Sequence, residues 1–156
     1  MITKLKYISL LLLLFTSIST VYAQPANDSY GNAIPLTDPS KCSAEAAYST
    51  INALDEGAFG TAPQWPVNET GKDVWFKFTA SAYDVNITVT GNSTGGGTTG
   101  GTLQNPLIAL YTIDVQGTNT SSSAQVGSLS AGTSISTYYK GALIVGKVYY
   151  IRVSAR

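Results

Sequence analysis

Asp73-Val74-Trp75-Phe76-Lys77-Phe78-Thr79 alternates strictly: Val74, Phe76 and Phe78 fall on one side of an extended chain, Trp75, Lys77 and Thr79 on the other. A helix would mix these two sets, so the run reads as a β-strand. The same period recurs nearby. In Tyr83-Asp84-Val85-Asn86-Ile87-Thr88-Val89-Thr90 the apolar Val85, Ile87 and Val89 oppose polar neighbours, as in a half-buried antiparallel strand with a solvated outer face. Pro106-Leu107-Ile108-Ala109-Leu110-Tyr111-Thr112-Ile113 is almost continuously apolar and suits a central strand covered on both faces. Proline is tolerated at its first position.

Weaker patterns extend outward. Ala33-Ile34-Pro35-Leu36 predicts an edge strand within an irregular arm, Gln24 to Lys41, and Ala46 to Ala53 predicts a further strand. Gln125 to Leu129, Ser134 to Tyr139 and Lys147 to Val153 complete about seven short strands. Leu54 to Lys72 holds Gly57, Gly60, Pro63, Pro66 and Gly71 and reads as a long loop, and Gly91 to Gly101 as a mobile Gly/Thr-rich hairpin loop. With no helical pattern after the leader, the expected fold is an all-β, antiparallel β-sandwich, jelly-roll-like in character.

Lys4 and Lys6 precede an apolar stretch containing Leu10 to Leu14, followed by small and polar residues up to Val21-Tyr22-Ala23. This is the layout of a signal peptide spanning residues 1–23, too short in its apolar part to cross a bilayer, with cleavage before Gln24. Removing 23 of the 156 residues leaves 133, one domain with a real core, 24–156. Two of the nine basic residues leave with the leader, so seven face nine acidic ones, a net charge of −2. Such a balance attracts neither nucleic acid nor an anionic membrane. The expected location is secreted or cell-surface, with no integral membrane segment after cleavage.

Histidine is absent, which excludes Ser-His-Asp and Cys-His constellations and histidine metal sites within the chain. Cys42 is the single cysteine, so no intrachain disulfide forms; it is either a buried small apolar residue or pairs outside this chain. Asp55, Glu56, Glu69, Asp73 and Asp84 are the carboxylates available for a glycosidase-like pair, but they are scattered over loops and strand starts. No enzyme activity and no cofactor are expected. Calcium is the metal to consider, through Asn27 and Asp28 with Asp73 added; the competing reading makes Asn27 and Asp28 turn formers. Trp65, between Pro63 and Pro66, is either a stacking platform for a sugar ring or a plug at one end of the sandwich. For Trp75 partial burial is expected over ligand contact, and Tyr138, Tyr139, Tyr149 and Tyr150 follow ordinary strand preference. Five Asn-x-Ser/Thr triplets, at Asn27, Asn68, Asn86, Asn92 and Asn119, are what a chain this rich in Asn, Ser and Thr produces by chance.

The series Pro25-Ala26-Asn27-Asp28, Gly31-Asn32-Ala33-Ile34-Pro35-Leu36, Asp73-Val74-Trp75-Phe76-Lys77-Phe78, Leu107-Ile108-Ala109-Leu110-Tyr111 and Tyr149-Tyr150-Ile151-Arg152-Val153 resembles the pre-peptidase C-terminal-like β-sandwich. The resemblance covers nearly all of the mature chain. It implies an accessory module of large secreted or cell-surface bacterial proteins that use type IX secretion, found beside peptidases, fibronectin-like repeats and sorting domains. Two features depart from it. Only Cys42 stands where relatives pair two cysteines, and the strand that usually follows Tyr-Ile-Arg-Val is missing. The expectation is therefore a truncated domain of a longer protein, with an unpaired edge at Lys147 to Val153 prone to self-association. Its role would be adhesion or spacing, its partners other domains of the same protein and an extracellular glycan or protein. The alternatives are an accessory to a peptidase or glycan hydrolase lying beyond Arg156, and a carbohydrate-binding module.

Overall fold

The computed structural model describes residues 23–38, 40–44, 47–56, 65, 72–91, 103, 106–113, 124–130 and 135–155. The leader up to Tyr22, Glu69, and all but the first residue of the Gly/Thr-rich tract lie outside them. Among the described residues seven strands follow a 3-10 turn at Tyr30–Asn32: β1 Ile34–Pro35, β2 Asp73–Thr79, β3 Asp84–Thr90, β4 Pro106–Thr112, β5 Ala124–Ser130, β6 Ile135–Gly141 and β7 Val148–Ala155. They form a five-stranded sheet in the order β1-β2-β7-β4-β5 and a two-stranded sheet, β3-β6. All pairs are antiparallel except β1 with β2. The fold is an all-β sandwich. No helix among the described residues is long and apolar enough to cross a membrane.

Alternation dictates the packing. Val74 and Phe76 of β2, Ile108 and Leu110 of β4, and Tyr149, Ile151 and Val153 of β7 are buried on one face of the large sheet. Register aligns them, with Val74 opposite Val153 opposite Ile108, and Phe76 opposite Ile151 opposite Leu110. They meet Ile87, Val85, Val89 and Tyr138 of the small sheet. At about 25 cal/mol per Å² of apolar surface removed from water, this shared core is the main source of stability.

The other face of the large sheet is covered as well. Trp75, Leu107, Ala109 and Tyr111 are buried there beneath Ala33, Tyr30 and Trp65. The N-terminal arm docks by main-chain pairing: Trp75 N–H donates to the Asn27 carbonyl at 2.8 Å, and Asn27 Nδ2 returns a bond to the Trp75 carbonyl at 3.0 Å. β4, sealed from both sides, is buried at every residue, as its continuous apolar run requires.

Two expectations change. Ala47 to Ala53 forms no strand, because Ser49 Oγ accepts the Ile51 N–H at 3.0 Å and Asn52 takes a left-handed φ of 61°, which turns the chain. The run from Lys147 is no edge either. β7 lies between β2 and β4 and is hydrogen-bonded on both sides, so the self-association expected of it loses its basis. The blunted edge is β1, two residues long and ending in Pro35, which cannot donate to another strand.

Candidate functional site

Arg152 occupies the centre of the second face of the large sheet, opposite Trp75 of β2 and Ala109 of β4. Alanine on one flank leaves room for the guanidinium. Two indoles enclose it, Trp65 with its centroid 5.4 Å from Arg152 Cζ and Trp75 at 5.6 Å. Arg152 Nη2 bonds Asp73 Oδ2, one diagonal step away on β2, and Asp55 Oδ1 at 2.8 Å. The Arg152 and Asp73 side chains are 1% and 0% exposed, while Asp55 keeps contact with solvent. A buried arginine costs several kcal/mol in lost hydration, and it persists here because carboxylates and π-faces surround it.

Asp73 is held from three directions. Its Oδ1 accepts Trp75 Nε1 at 2.9 Å, its Oδ2 accepts Arg152, and the Glu56 N–H also donates to its carboxylate. Glu56 in turn binds the arm, accepting Ser29 Oγ at 2.7 Å and the Tyr30 N–H at 2.8 Å. Asp28 Oδ1 accepts the Leu54 N–H at 2.6 Å. Residues 54–56 thus clip the arm, residues 28–30, to the sheet through Arg152. Burial pushes the carboxyls of Asp73 and Glu56 up; Arg152 and the hydrogen bonds oppose the rise. Burial also raises the Tyr111 hydroxyl against the pull of Arg152, while burial works to lower Arg152 and loses to Asp73 and Tyr111, which hold the guanidinium protonated.

Asp55, Glu56 and Asp73, scattered along the chain, converge on Arg152. Asp84 stands apart at the start of β3. Asn27, Asp28 and Asp73 do not share a point: the Asn27 amide serves the Trp75 carbonyl, Asp28 serves Leu54 and Asp73 serves Arg152. Among the described residues no three His, Cys, Asp or Glu side chains are placed to hold a metal ion. Trp65 is only 7% exposed, its ring set against Arg152, whereas a stacking platform needs an open ring face. Trp75 is wholly buried, and Cys42 is exposed.

Sequence reasoning missed Arg152 as an organiser, although a signal existed. An arginine inside an apolar strand demands a buried anion, and Asp73 at the head of a strand of matching alternation is the natural partner. The arrangement clamps; both Asp73 oxygens are engaged and no substrate atom has access to them. Comparison with known proteins finds no matching family model, no matching curated protein and no matching solved structure.

Proposed function

We propose that this chain is a noncatalytic accessory or adhesion module, exported behind its leader and carried by a larger secreted or cell-surface bacterial protein. One observation carries the reading: the carboxylates gathered here are spent on Arg152, the Ser29 hydroxyl and main-chain amides, with Asp73 wholly buried, and so hold the arm to the sheet. The resemblance to pre-peptidase C-terminal-like modules supports the same role, including service beside a peptidase or glycan hydrolase. Such a module contributes by holding or spacing, so its activity is retention without turnover.

The test fuses residues 24–156 to a fluorescent protein and measures retention on cell surfaces and extracellular polymers, alongside hydrolysis of peptide and glycan substrates. Retention with no turnover is expected. Turnover that disappears in Glu56→Gln or Asp55→Asn would overturn the noncatalytic reading, and absence of retention on every surface would overturn adhesion.

A further inference from the structure

The small sheet presents a surface that the Arg152 clamp leaves untouched. Alternation puts Asp84, Asn86, Thr88 and Thr90 of β3 and Ile135, Thr137 and Tyr139 of β6 on its outer side, all exposed, with Ile135 at one end opposite Thr90. Register sets Asn86 opposite Tyr139 and Thr88 opposite Thr137, whose hydroxyls lie 3.1 Å apart. Tyr139 is 60% exposed, yet its ring does not project freely. A Cβ at Gly141 would meet the Tyr139 hydroxyl oxygen at 3.3 Å and ring carbons at 3.8 Å, so the ring is laid along the strand over its glycine neighbour. Its hydroxyl lies 3.5 Å from Asp84 Oδ2 on the adjacent strand.

We propose that this outer face binds a neutral polysaccharide chain, with Tyr139 as the stacking platform; the proposal rests on the binding-module reading above and names its ligand class. A ring held down on a sheet offers its exposed side to the C–H face of a sugar with little left to order, which lowers the entropic cost of binding. Around it stand the groups that hydroxyls need: a carboxylate acceptor in Asp84, an amide in Asn86 that both donates and accepts, and the Thr88 and Thr137 hydroxyls. Asp84 is the formal charge on this face, while Lys140 has the opposite parity on β6, so anionic glycans and nucleic acids are repelled. β3 runs seven residues, about 20 Å of continuous polar track at ~3.4 Å per residue, which accommodates several sugar rings. Among the described residues, β2, β4 and β7 of the large sheet carry buried side chains on both faces.

The experiment is native affinity electrophoresis of residues 24–156 in gels containing hydroxyethyl cellulose, galactomannan, xylan or, as an anionic control, polygalacturonate. Retardation by at least one neutral polymer and none by polygalacturonate is expected. Tyr139→Ala weakens that retardation tenfold or more with unchanged far-UV circular dichroism and melting temperature, and Tyr139→Phe, which keeps the ring, binds within about threefold of wild type. Asn86→Ala gives an independent loss of several-fold, and Ile144→Ser, on an exposed turn residue, leaves binding unchanged. Retardation by none of the neutral polymers, or wild-type binding by Tyr139→Ala, overturns the proposal. If that happens while the fluorescent fusion is still retained on cells, the glycan site falls and the module reading stands.

Discussion

Arg152 is the residue on which most of the second face depends. Removing its charge leaves Asp73 buried without its main partner, so Arg152→Ala should lose about 3–5 kcal/mol of unfolding free energy in urea titration. Replacing both partners with apolar residues, Arg152→Met with Asp73→Leu, should cost much less than the sum of the single changes. Equal and additive losses would show that the pair acts independently, contrary to the geometry. Acid titration provides a second check. Burial raises the folded-state values of Asp73 and Glu56, so these groups bind protons more tightly folded than unfolded. Their contribution to stability is then greatest below the ordinary carboxylate value of about 4 and falls as pH rises through the raised values. Asp38, exposed and lowered by its bonds to Ser40 and Lys41, acts in the opposite sense. The diagnostic quantity is therefore a difference: the urea midpoint of Glu56→Gln should decline less between about pH 4 and 6 than that of the wild type.

The turn between β6 and β7 carries two left-handed residues with opposite consequences. Gly146 has a φ of 85°, and a Cβ there would find open space within 4 Å, so Gly146→Ala meets no clash and isolates the backbone cost, about 1 kcal/mol. Ala142 has a φ of 58° without glycine's freedom, and Ala142→Gly should stabilise by up to about 1 kcal/mol. Melting temperatures of the two variants should move in opposite directions; movement in the same direction would refute the assignment. Period two placed β2, β3 and β4 within a residue of their observed bounds, because each has a face that must be apolar. The same reasoning failed at Ala47 to Ala53, where a loose alternation was overridden by a Ser49 turn and by Asn52. Such turns depend on one side-chain hydrogen bond, which pattern does not reveal.

Across the molecule, β7 joins the sheet together. β2 and β4 do not pair with each other; each pairs with β7, which follows both of them in the chain with β5 and β6 in between. Contacts of such separation must wait until residues 148–155 are in place, and their loop-closure entropy slows folding. A chain ending at Lys147 should therefore lack the β-sheet circular dichroism and cooperative urea transition of the 24–156 domain; a cooperative transition in it would contradict this topology. Amino-acid order alone settled the strand class, the two-sided burial of β4 and the assignment of one face of β2 to the core, because these follow from side-chain alternation within a few residues. It left hidden the central place of β7, the cover over Trp75, the burial of Trp65, and the meeting of Asp55, Glu56 and Asp73 at Arg152. Those depend on which strands become neighbours, and contacts between residues 97 and 79 positions apart leave no periodic trace along the chain.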